Sequence, residues 1–136
     1  MRIAVIDGQG GGVGKMVVEK LRAASEHYKI IALGTNALAT AQMIKAGAHE
    51  GATGENAIVY NAGRVDWIIG PFGIVMANAM LGELSPAMAK AIGESSARKL
   101  LIPINKCATT IVGVKEQPMA ALVEEAVATL LKEIEV

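Results

Sequence analysis

Aromatic side chains are almost missing from this chain, which has one Trp, one Phe and two Tyr. Unpaired bases stack on aromatic rings, so a platform for single-stranded nucleic acid is absent. Net charge is absent too: thirteen basic residues balance thirteen acidic ones, with no basic run. Without the positive footprint that a phosphate backbone demands, nucleic acid is not an expected partner. A single cysteine, Cys107, cannot close an internal disulfide, which agrees with a reducing, cytoplasmic setting. The two histidines, His27 and His49, have no metal-ligand spacing with any partner, and no metal site is expected. Long apolar runs are missing as well. The most apolar stretch, "IIGPFGIVMANAML", is broken by Gly70, Pro71, Gly73 and Asn78, well short of the roughly twenty residues that span a bilayer. "MRIAVIDGQG" has about six apolar-rich positions before Asp7, too few for a signal segment. No membrane association is expected.

What is present is apolar side chain, 52% of 136 residues, in a pattern that alternates strand and helix. A chain this long forms one core, since two halves would each be marginal. "RIAVID" reads as a buried strand, followed by a helix over Lys15–Ala24 with Val13, Val17, Leu21 and Ala24 on one face. "KIIALG" is a second strand, and Thr35 or Asn36 caps a helix that runs to about Ala46. "AGAHEGATGEN" is irregular, with a short helix over Ala57–Ala62, and "DWIIG" is a third strand. "FGIVMANAML" (residues 72–81) predicts a helix that is apolar nearly all round, buried in the core or against a twofold partner. Ser85–Pro86 is a cap and first-turn proline for a helix to about Ala97. "KLLIPI" and "TTIVGV" complete the strands, and Pro118 opens the last helix. "NKCA" is too short for a parallel crossover, so an antiparallel edge fits "TTIVGV". The expected fold is a three-layer α/β sandwich around a mainly parallel, Rossmann-like sheet of about five strands. Met43, Met76, Met80 and Met88 read as core or interface fillers.

The chemistry concentrates in "DGQGGGVGK", Asp7–Lys15, which has five glycines between the first strand and its helix. In such sheets ligands bind beyond the carboxyl ends of the strands, where strand order reverses, and the first strand borders that point. Glycines let backbone approach an anion, and the helix that follows offers unpaired amides. Asp7, Gly8, Gly10, Gly11, Gly12, Gly14 and Lys15 are therefore the candidate site, with Thr35 and Asn36 beside them at the end of strand two. The Gly10–Gly14 amides would hold phosphate, Lys15 would add charge, and Thr35 and Asn36 would meet sugar or base. The expected partner is a nucleotide or another phosphorylated small molecule.

Gln9 stands where both the dinucleotide fingerprint and the ATPase P-loop need glycine. Met16 also stands where a P-loop needs a magnesium-binding hydroxyl, and Asp66 begins a strand rather than ending one. Gly8, Gly12 and Gly14 do resemble the G-x-x-x-G-x-G loop of short-chain dehydrogenases, and "YNAG", Tyr60–Gly63, is similar to a second motif of that superfamily. That resemblance implies a pyridine nucleotide, NADP or NAD, as the first cofactor to consider. It does not extend to the catalytic Tyr-x-x-x-Lys, because Arg64 stands where the lysine belongs. No acid or arginine after strand two selects between the two cofactors.

The rim of the crevice is expected to include Gly70–Pro71, Asn105–Lys106–Cys107 and the loop "GATGEN", with Thr53, Glu55 and Asn56, folded toward the site. Cys107 reads as a small buried thiol. An enzyme would be favoured if Asp7, Glu55 and Cys107 converged. An alternative function is an oligomerising regulatory or scaffold domain whose glycine loop is purely structural. "IDGQGGG", "IALGTNALAT", "GATGEN", "IIGPFGI" and "LIPIN" together resemble a family of short uncharacterised Rossmann-like proteins from anaerobic bacteria. The resemblance implies a Rossmann-like domain standing alone and carries no activity.

Overall fold

The computed structural model describes residues 1–104 and 107–134. Five strands form one sheet: β1 Arg2–Asp7, β2 Lys29–Gly34, β3 Glu50–Thr53, β4 Trp67–Pro71 and β5 Arg98–Ile102. Their spatial order is β3-β2-β1-β4-β5, with every pairing parallel. The helices are α1 Gly12–Ala24, α2 Ala37–Lys45, α3 Glu55–Ala62, α4 Pro86–Glu94 and α5 Met119–Ile134.

Strand periodicity divides the core into two layers. Ile3, Val5, Ile30, Ala32, Trp67 and Ile69 pack with Val17 and Leu21 of α1, Met43 of α2, and Val123, Val127 and Leu130 of α5. Ala4, Ile6, Ile31, Leu33 and Ile68 face the other way, onto Ile58 of α3 and Met88 and Ile92 of α4. The three-layer parallel sandwich is thus as expected, and no helix among the described residues is long and apolar enough to cross a membrane.

Three elements differ from expectation. The fifth strand is β3, inside the stretch expected to be irregular. It pairs with β2 from Ile31–Glu50 to Gly34–Thr53, so "GATGEN" finishes a strand and starts α3 instead of folding over the crevice. "TTIVGV" forms no strand and no antiparallel edge: residues 109–114 are turns and irregular chain, exposed or half-buried. Its β-branched composition finds no neighbouring strand to pair with, and β-propensity without a partner does not make a strand. Val112 is 94% exposed there. Val112→Lys is therefore expected to change urea-measured stability by less than about 0.5 kcal/mol, the ordinary range for a surface site.

"FGIVMANAML" is the third. It makes a 3₁₀ turn over Phe72–Val75 and then reverses through left-handed backbone at Asn78, Met80, Leu81 and Gly82. Most of its apolar residues serve this chain's own core: Ile74, Ala79 and Met80 are buried in the second layer, whereas Leu81 is 99% exposed. The helix expected here, buried in the core or against a partner, does not form.

Candidate functional site

The chain crosses back over β1 between β3 and β4, so strand order reverses between β1 and β4. The loop after β1 (residues 8–11) and the segment after β4 (residues 72–85) flank that point. The glycine loop therefore lies where the topology places a ligand crevice.

Asp7 ends β1 and is 3% exposed. Its Oδ1 accepts the Gly8 N–H at 2.8 Å and its Oδ2 the Gly14 N–H at 2.7 Å. Burial pushes its pKa up, the amides of Gly14, Gly8 and Val13 pull it back down, and the charge of Glu83 adds a smaller upward push. Asp7 is thus the anchor that ties strand to helix, and its oxygens face inward to the loop's own amides.

The five glycines divide by what each position requires. A Cβ on Gly8 would lie 2.5 Å from Thr35 Oγ1 and 2.6 Å from Met80 Sδ. Gly11 has φ +73° and touches the Ala39 backbone, and a Cβ on Gly14 would lie 2.5 Å from Met43 Sδ. Gly11 is fixed by its left-handed φ and the Ala39 backbone, whereas a side chain at Gly8 or Gly14 would have to displace Thr35, Met80 or Met43. At Gly10 and Gly12 a Cβ would meet nothing within 4 Å, and neither has a left-handed φ.

The amides divide in the same way. Gly11 N–H donates to Gly8 O and Lys15 N–H to Gly11 O, both at 2.9 Å. Gln9 N–H donates to Glu83 Oε1 at 2.9 Å. Among the described residues nothing accepts from the N–H of Gly10 or Gly12, and both residues are exposed. Lys15 is exposed beside them, one position past Gly14 in α1, and makes no ion pair among the described residues.

Thr35 and Asn36 lie at the loop as expected, but they hold a carboxylate of this chain. Glu83 Oε1 accepts from Thr35 Oγ1 and Asn36 Nδ2, each at 2.7 Å, as well as from Gln9 N–H. Asn36 also donates to Gln9 O at 2.9 Å, and its Oδ1 caps α2 by accepting the Ala39 N–H at 2.8 Å. Chiefly the Gln9 amide, then Thr35 and, after a small opposing effect of burial, Asn36 hold the Glu83 carboxyl below its ordinary range. Glu83 is the residue sequence reasoning missed. It lies 74 positions from Gln9 in "LGELSP", which matches no motif.

The remaining rim residues are dispersed. Glu55 is exposed at the start of α3 and shares no hydrogen bond with buried Asp7. Cys107 is exposed in a turn, not buried: it follows β5 in a stretch with no covering element. Asn105 and Lys106 lie outside the described residues. Thr53 donates to Thr40 Oγ1 at 2.7 Å, within the β3–α2 packing. Tyr60–Gly63 closes α3 just before β4, at the sheet end opposite the glycine loop. No metal-binding cluster of His, Cys, Asp or Glu occurs among the described residues. A groove of about 420 Å³ lies elsewhere, between β5, α5 and residues 113–117; Leu101, Pro103, Lys115, Leu122 and Thr129 are among its lining.

Residues 2–135 match a protein family described as a domain of unknown function, DUF3842. The chain belongs to this family. No curated protein matches the DUF3842 chain. Among solved structures it is similar to the dodecameric FMN-dependent UbiX-like decarboxylase from Escherichia coli O157:H7. The two are 13% identical, over 100% of this chain and 96% of that one, with a TM-score of 0.46.

Proposed function

We propose that this DUF3842 chain binds a phosphorylated small molecule, in the first instance a nucleotide, at the glycine loop. The supporting observation is a coincidence at Gly10 and Gly12. They are the loop glycines that packing does not require, and they carry the loop amides that nothing in the described chain uses. An exposed glycine with ordinary φ and open space at its Cβ, such as Gly10 in the turn or Gly12 at the start of α1, gains nothing over alanine in the unliganded chain, and it loses more backbone entropy on folding. A bound phosphate supplies the missing reason: its oxygens need close backbone approach and N–H donors at a helix N-terminus. Lys15 adds a positive charge at the same turn. NAD and NADP, the first cofactors considered, belong to this ligand class.

The competing reading is a structural loop in an oligomerising domain. It draws on Asp7 and Glu83, which already occupy the amides of Gly8, Gln9 and Gly14.

Thermal unfolding against NAD, NADP, ATP, AMP, FMN, coenzyme A and sugar phosphates separates the two. A ligand at about a hundred times its Kd adds roughly 2.7 kcal/mol, several degrees in Tm for a domain of this size. Gly12→Val is expected to abolish that shift while leaving the ligand-free Tm within about 2 °C, because the added side chain points into open space. If no compound shifts the wild-type protein, the structural loop is the correct reading.

A further inference from the structure

No acid directly follows β2 in the sequence, the position from which nucleotide-binding sheets hold a ribose. The structure delivers one there from the other side of the crevice. Glu83 leaves the segment after β4, crosses over Gly8, and sets its carboxylate between the glycine loop and the end of β2. From these positions we infer that Glu83 is the acceptor for a sugar hydroxyl of the ligand, and that it selects an unmodified ribose over one bearing a 2′-phosphate. The inference rests on the reading that the loop binds a nucleotide.

Three features of the cluster support this assignment. Gln9 N–H, Thr35 Oγ1 and Asn36 Nδ2 all converge on Oε1, and Oε2 takes no bond from the described residues. A carboxylate clamped through one oxygen presents the other at a fixed place, and ribose hydroxyls are donors suited to it. The clamp reaches Gln9, the residue directly before Gly10, so the oxygen and the unused amides adjoin along the chain. The same donors favour the ionised form, so the acceptor is an anion. An anion accepts a hydroxyl and repels a second phosphate. Thr35 and Asn36 are then positioning residues for Glu83, where sequence reasoning had them touching the ligand themselves.

Titration calorimetry of the full chain with AMP, 2′-deoxy-AMP and adenosine 2′,5′-bisphosphate tests the assignment. A hydrogen bond to a charged acceptor corresponds to about tenfold or more in affinity, so AMP is expected to bind at least that much tighter than either analogue. In Glu83→Gln the preference for AMP over the bisphosphate is expected to collapse, since the amide no longer repels phosphate. The ligand-free Tm of the variant checks its fold, and the wild-type ratios decide the matter even if the variant fails to fold. Equal wild-type binding of AMP and 2′-deoxy-AMP overturns the role of Glu83 and leaves the loop reading standing. So does an unchanged preference in a folded variant, or binding of inorganic phosphate when none of the three nucleotides binds. If neither the nucleotides nor inorganic phosphate bind, the loop reading falls and the role of Glu83 falls with it.

Discussion

Gly70→Ala is expected to destabilise the chain by about 3 kcal/mol, the upper part of the range for forcing volume into a packed core. A Cβ on Gly70 would lie 2.3 Å from the Ile6 carbonyl oxygen and 3.1 Å from Ile74 Cδ1. The first contact decides the size of the effect. A side chain in the way can rotate, but Ile6 O belongs to the backbone of β1, the middle strand of the sheet. Relief requires β4 and β1 to separate next to the register Val5–Ile69, and both strands are buried on both faces. Urea denaturation measures the loss directly. Gly93→Ala is the matched control: that glycine is exposed in the last turn of α4 with nothing within 4 Å of the added atom. It is expected to be neutral or to gain up to about 1 kcal/mol from helix propensity. A small effect at Gly70 would mean that the two strands approach each other less closely there.

Gly70 also shows why some of this architecture was legible and some was not. β1, β2 and β4 announce themselves because both faces are buried, which demands continuous runs of Ile, Val, Leu and Ala. Ser85 was readable as a cap, and Asn36 as one of two candidates with Thr35, because short polar side chains do one local job; Ser85 and Asn36 each accept an amide three residues on. β3 was not readable. It is a four-residue edge strand, exposed at Glu50, Gly51 and Thr53, and its identity comes from pairing with β2. Composition also misled at residues 72–84. Apolar residues there looked like a helix, but left-handed turns at Asn78, Met80 and Leu81 fold Ile74, Ala79, Met80 and Leu84 into the second layer and leave Leu81 exposed.

The candidate site divides along the same line. The glycine loop, Thr35 and Asn36 follow one another closely around β1 and β2, and their place was clear from strand order alone. Which glycines are required by packing could not be read, because that depends on Ala39, Met43 and Met80 arriving from elsewhere. Glu83 was illegible for the same reason, since its three donors lie 47 to 74 positions away.

Asp7→Ala is expected to cost about 3 kcal/mol at mildly acid pH, and its pH dependence shows whether burial or the loop amides dominate the titration of this anchor. Removing the side chain strands the N–H groups of Gly8 and Gly14 in a buried place, each at about 1–3 kcal/mol, with partial compensation from no longer burying a carboxyl. Burial dominates its pKa, which is raised, so the folded chain holds this proton more tightly than the unfolded chain does. That contribution to stability is complete below the ordinary aspartate value and is lost as pH rises through the folded value. Glu83 is lowered and behaves oppositely: its contribution is present above the ordinary glutamate value and is lost as pH falls through the folded value. The difference in stability between wild type and Asp7→Ala should therefore be largest at acid pH and shrink as pH rises. Denaturation curves from pH about 4 to 7 measure it. A difference that grew with pH would mean that the amides of Gly14, Gly8 and Val13 outweigh burial. Asp7 would then be a stabilised anion at the head of α1, competing with phosphate for the same helix terminus. A difference that shrinks fits a buried Asp7 that holds the amides of Gly8 and Gly14, while those of Gly10 and Gly12 are bonded to nothing among the described residues.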